Sequence, residues 1–153
     1  MLGFVFSQPV VANRIVLCRR EDRGPARFTD FASLKPYTVG VVRGYADPPG
    51  LAAAGVRTEA VDHDLQNLRK LLVGHIDLVL IDSRVARHLL AKHMPDSAAA
   101  VHCLQPPVQE HPQYLVLSRH ASDAGQIAAA FNEQLRAMQE SGEYGEIAAR
   151  WGF

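Results

Sequence analysis

Along this chain, short unbroken apolar runs take turns with segments whose apolar residues recur three and four positions apart. The first pattern predicts buried strands and the second amphipathic helices. The clearest run is Leu78-Val79-Leu80-Ile81. It is long enough for a strand and too short for a buried helix. Asp82-Ser83 closes it, and Ser83 is a suitable N-cap for the helix that follows. That helix has Val85, Ala86, Leu89 and Leu90 on one face and Arg84, Arg87 and His88 on the other.

The same alternation starts earlier. Tyr37-Thr38-Val39-Gly40-Val41-Val42 is rich in β-branched residues and predicts a strand. Arg43-Gly44-Tyr45-Ala46 turns into a short helix over 48–54, stopped by Gly55. A strand follows over 56–61. Asp62-His63-Asp64 then caps a helix with Leu65, Leu68, Leu71 and Leu72 apolar, ended by Gly74. Gln66 and Asn67 fall on its polar face. His75 is a surface turn residue. Residues 101–104 form a last short strand before Pro106-Pro107. Strands and helices joined by short connections predict a mostly parallel sheet covered by helices.

Outside this block the pattern is sparser. Phe4-Val5-Phe6 is a short strand stopped by Ser7-Gln8-Pro9, and residues 14–19 form another. The charged stretch 21–27 reads as a loop. One helical turn is expected within 28–34, ended by Lys35-Pro36. Tyr114-Leu115-Val116-Leu117-Ser118 predicts a strand. From Asp123 a long helix carries the stripe Ile127, Phe131, Leu135, Met138. Ser141-Gly142 breaks it before a short helix over 144–151.

Composition narrows the class. Of 153 residues 48% are hydrophobic, enough to bury a core. Sixteen basic and sixteen acidic residues cancel, which argues against a nucleic-acid surface. No apolar run approaches the roughly 20 residues of a membrane span. The first residues have no basic segment of the export type. Cys18 and Cys103 each lie in an apolar run, the usual setting of buried free thiols; a bridge between them is the alternative. No Cys/His spacing resembles a metal site. No nucleophile elbow, phosphate loop or metalloprotease pattern is present, so catalysis is not expected.

Four motifs in order resemble one family. Phe6-Ser7-Gln8-Pro9-Val10 opens the series. Ser33-Leu34-Lys35 with Thr38 to Tyr45 comes next. Leu71-Leu72-Val73-Gly74-His75-Ile76-Asp77 with Asp82 is third, His75 standing where arginine is usual. Gly142-Glu143-Tyr144 to Ile147 with Arg150-Trp151-Gly152 is the last. Together they resemble the bacterial extracellular solute-binding proteins of polar amino-acid ABC transporters. The resemblance implies an α/β type II periplasmic-binding-protein-like lobe over 22–112. Residues 1–21 would be a remnant of the first lobe with a hinge strand. Residues 113–153 would be the second hinge strand and C-terminal helices. The segment with the family's carboxylate-clamping arginine has no counterpart, so an N-terminally truncated member is expected, with one cleft wall and weak or absent affinity for a free amino acid.

In open α/β sheets ligands gather at the carboxyl ends of strands. Asp82 sits at such an end, either as acceptor for a ligand ammonium group or only as a helix cap. Gly44, Tyr45 and Ala46 offer backbone N–H groups to an anion, or form a plain turn. Arg43 reaches the same cleft or stays a solvated strand end. The resemblance implies binding of a small polar ligand such as an amino acid, ABC-transporter membrane subunits as partners, a periplasmic location, no cofactor, no metal and no nucleic acid. A ligand-sensing regulatory module with the same lobe is the alternative. The C-terminal apolar stripe further predicts a homodimer.

Overall fold

A computed structural model describes residues 3–152. It has six strands: β1 (Phe4–Arg20), β2 (Thr38–Val42), β3 (Arg57–Val61), β4 (Leu78–Asp82), β5 (Val101–Cys103) and β6 (Gln109–Ser118). Four helices are α1 (Asp64–Leu72), α2 (Ser83–His93), α3 (Ala124–Ser141) and α4 (Glu143–Trp151). The strands form one mixed sheet in the order β3-β2-β4-β1-β5, with β6 pairing β1. β2 runs parallel to both β3 and β4. β1 is antiparallel to β4 and β5.

The chain divides into two compact units. One is Arg14–Glu110; the other is formed by the segments on either side of it. In the first unit the apolar run of β4 is buried on both faces, which is why it shows no polar alternation. Val79 and Ile81 join Val16, Leu68, Leu71, Ala86 and Leu90 on the α1 and α2 side. Leu78 and Leu80 join Leu17, Leu34, Val39, Val41 and Leu51 on the other. Strand periodicity sends neighbouring side chains to opposite cores.

In the second unit Leu115 N–H donates to Ser7 Oγ at 2.9 Å, and Gln8 N–H to Asn132 Oδ1 at 2.7 Å. The Tyr144 hydroxyl donates to the Val10 carbonyl at 2.5 Å. These bonds explain why Ser7-Gln8-Pro9 does not stop a strand. The Ser7 hydroxyl and the Gln8 backbone find partners, proline suits extended backbone, and β1 runs unbroken where two strands were expected.

Other corrections have local causes. Residues 48–54 make successive turns and no helix, because Gly50 has φ +95°, outside the helical region. Asn67 points inward and is fully buried; its Nδ2 donates to the Val41 carbonyl at 3.0 Å. Val85 is exposed, while Ala86 and Leu90 carry the buried face of α2. Of the α3 stripe, Leu135 is buried, Phe131 and Met138 are half-buried and Ile127 is exposed. His75 is exposed as expected. Cys18 and Cys103 are joined in a disulfide, directly opposite each other across β1 and β5. Cys18 is buried, but Cys103 is exposed, so the reading of two buried thiols fails. Strand pairing aligned them, and sequence spacing carries no record of that.

Candidate functional site

Because β2, β3 and β4 are parallel, their carboxyl ends lie along one edge of the Arg14–Glu110 unit. Asp77, by contrast, marks the opposite edge. It is buried, accepts from Thr38 N–H at 2.8 Å and pairs with Arg23, so its role is structural. The carboxyl edge brings together Arg43-Gly44-Tyr45-Ala46 after β2, Asp62-His63-Asp64 after β3, and Asp82 at the end of β4.

Asp82 is the N-cap of α2, the position expected for Ser83. Its Oδ1 accepts from Arg84 N–H at 2.8 Å and Val85 N–H at 3.3 Å. Arg84 Nε lies 3.6 Å from the same oxygen. Oδ2 is buried and makes no hydrogen bond. One oxygen therefore builds the helix, and the other is left over. Capping and ligand contact are not exclusive here.

Arg43, Gly44, Tyr45 and Ala46 are all exposed. Gly44 has φ +82°, a turn conformation that favours glycine. A Cβ there would meet nothing within 4 Å, so the space beside the turn is open. Tyr45 N–H is used by the Val42 carbonyl at 3.2 Å. With no helix after Ala46, no helix dipole assists an anion at this turn. Arg43 is ion-paired with Asp62.

The residue that sequence reading passed over is Asp64, taken only as part of a cap. It is 6% exposed. Its Oδ2 accepts from the Tyr45 hydroxyl at 3.2 Å, and Oδ1 is buried without a partner. Burial pushes its carboxyl above the ordinary value; the Asp82 charge adds to this, and the Tyr45 hydroxyl opposes it. The Asp64 charge in turn raises the Tyr45 hydroxyl, with burial assisting. The available signal was positional: Asp64 follows β3 much as Asp82 ends β4.

A raised folded pKa for a carboxyl means the unfolded chain ionises first. Stability is then lost as pH climbs through about 3.8 toward the folded value. Asp64→Asn removes the charge that burial disfavours and is expected to unfold at higher urea than the parent at pH 7. The advantage should shrink as pH falls toward 3.8. The amino end of α1 favours the native charge by about 0.3–1 kcal/mol, which is subtracted from this gain. Equal urea midpoints at pH 7 would count against this account.

Among the described residues no group of three His, Cys, Asp or Glu is placed to hold a metal ion. A cavity of about 460 Å³ opens elsewhere on this unit, against α2 and β5, lined by Arg14, Val16, Arg87, Leu90 and Val101 among others. None of Gly44, Tyr45, Asp64 or Asp82 lines it. The carboxyl edge thus carries two acidic side chains, Asp64 and Asp82, each with one buried oxygen that makes no hydrogen bond.

No protein-family model and no curated protein matches this chain. Solved structures do. The second substrate-binding domain assigned to an amino-acid ABC transporter of Streptococcus pneumoniae superposes with a TM-score of 0.73 at 18% identity, over 97% of this chain and 64% of that one. The L-cystine solute receptor of Neisseria gonorrhoeae, in its open form, gives 0.71 at 18% identity, over 97% and 59%. The GluR0 ligand-binding core of Nostoc punctiforme, solved with L-glutamate, gives 0.67 at 20% identity, over 97% and 65%. The chain spans about three-fifths of the length of these structures. Over nearly all of its own length it has the periplasmic-binding-protein-like fold, a mixed sheet flanked by helices, that these amino-acid-binding proteins share.

Proposed function

We propose that the chain is the substrate-binding component, or a lobe of it, of an ABC transporter for amino acids or similar small polar solutes. It performs no chemistry; it holds a ligand. Asp82 takes the ligand's ammonium group, and the backbone of Gly44, Tyr45 and Ala46 approaches its polar end. Arg43, held by Asp62, borders the site. The observation that carries this reading is the spare, buried oxygen of Asp82 at the carboxyl edge of a parallel sheet, where such sheets take their ligands. Membrane subunits of the transporter are the protein partners, and the working place is the periplasm.

The test is an amide NMR titration of the full chain with free L-amino acids at millimolar concentration. Saturable shifts are expected at Gly44, Tyr45, Ala46 and the start of α2. Asp82→Asn keeps a capping oxygen and removes the charge. It should weaken binding about tenfold or more, since a charged hydrogen bond contributes about 1.5–3 kcal/mol. A panel of amino acids that leaves those amides unmoved sinks the reading.

A homodimer through the C-terminal helices belongs to the same reading, supported by Ile127, Ile147 and Trp151, which are 41%, 40% and 71% exposed. Light scattering reporting a monomer rejects it. A second reading is a ligand-sensing regulatory module with the same lobe fold. In that case ligand binding would leave the ATPase of a transporter reconstituted with this chain unchanged.

A further inference from the structure

We infer that Asp64 and Tyr45 form a second subsite on the same edge, which takes a cationic nitrogen on the ligand's side chain, so that the preferred solute is an amino acid with a basic side chain. The inference rests on the reading of this edge as an amino-acid site with Asp82 at the ammonium group.

Its first support is an acid without a counter-ion. Asp64 is more than nine-tenths buried, and one of its oxygens has no partner. Among the ion pairs of the described residues none includes it. Of the basic side chains at this edge, Arg43 pairs with Asp62 and Arg84 with Asp82; His63 acts on Asp64 through its charge but forms no ion pair with it. A buried carboxylate left in this state is costly, and a donor with positive charge relieves it.

The second support is Tyr45. The residue is 63% exposed, yet its hydroxyl is tied to Asp64. The hydroxyl occupies one acceptor site on the carboxylate and holds an aromatic face toward solvent. Cations are drawn to aromatic faces as well as to carboxylates. Beside it, a Cβ at Gly44 would meet nothing within 4 Å; in this reading the ligand turns the phenol aside to reach Asp64.

Sign of charge agrees. The segments that follow the three strands carry Asp47, Asp62, Asp64 and Asp82 against Arg43, His63 and Arg84. After one acid is assigned to the α-ammonium group, the balance still favours a second positive charge. A ligand with an acidic or purely apolar side chain gains nothing from it.

The experiment compares L-lysine with L-norleucine, which has the same backbone and chain length but no side-chain ammonium. Amide shifts of the full chain are titrated with each. Lysine is expected to bind at least tenfold more tightly and to move the amides of Tyr45 and Asp64. In Asp64→Asn the two ligands should bind within about twofold of each other. The inference is overturned if norleucine matches lysine on the parent chain, or if the tenfold preference survives in Asp64→Asn. The parent comparison needs no variant, so a misfolded Asp64→Asn leaves the test intact. Binding of both ligands without preference removes this subsite and keeps the proposed function. If neither ligand, nor any other free amino acid, moves the edge, both fall.

Discussion

Replacing Cys18 and Cys103 together with alanine is expected to lower the unfolding free energy by about 4–5 kcal/mol. The bridge joins residues 85 apart in sequence, and chain-entropy accounting gives a value of that size for such a loop. The loop holds β2, β3, β4, α1 and α2, so nearly the whole ligand edge lies between the two cysteines. β5 is only three residues long and has few ladder bonds of its own. Without the bridge it should detach from β1 first. Urea unfolding of the double variant, and of the parent chain under reductant, should show the same large drop in midpoint. Midpoints that stay within experimental scatter of the oxidised parent would show that pairing of β1 with β5 alone holds the strand.

Gly40→Ala is expected to cost about 3 kcal/mol, the upper end for overpacking a core. A Cβ at Gly40 would stand 2.5 Å from both Asn67 Oδ1 and Ile76 Cδ1. Neither neighbour is a loose end. Asn67 is fully buried and bonded to Val41, and Ile76 is 2% exposed. The added methyl therefore pushes α1 away from β2. The thermal midpoint should fall by roughly 6–12 °C, at about 2–4 °C per kcal/mol for a chain of this size. Because α1 begins at Asp64, the Tyr45–Asp64 hydrogen bond should weaken as well. A variant that melts within about 2 °C of the parent would mean that α1 yields easily and that the Gly40 contact is soft.

These two effects show where sequence reading reaches its limit. The strand at β4 and the helix after it were legible because their signal is local. Four apolar residues in a row, then polar residues, then apolar positions at helical spacing, need only near neighbours to be interpreted. β2, β3 and α1 were legible for the same reason. Pro48-Pro49-Gly50 misled, because spacing alone hides a residue that must take positive φ. Asn67 misled in the opposite way. An amide on a helix reads as polar and outward, yet here it faces a glycine that leaves room for it and a carbonyl that needs a donor.

The candidate site divides along the same line. Asp82 was visible as the acid at the end of the clearest strand. Asp64 was visible only as a cap residue, and its link to Tyr45 spans 19 positions.

The sequence by itself determined that β2, β3 and β4 are strands, that α1 and α2 are helices, and that an acid ends β4, because periodicity and punctuation act over a few residues. The order β3-β2-β4-β1-β5 was decided only in three dimensions. That order set Cys18 against Cys103, turned Asn67 toward Gly40 and brought the Tyr45 hydroxyl to Asp64. Each is a meeting of distant segments whose partners are chosen by packing of the whole sheet, and no local pattern encodes it.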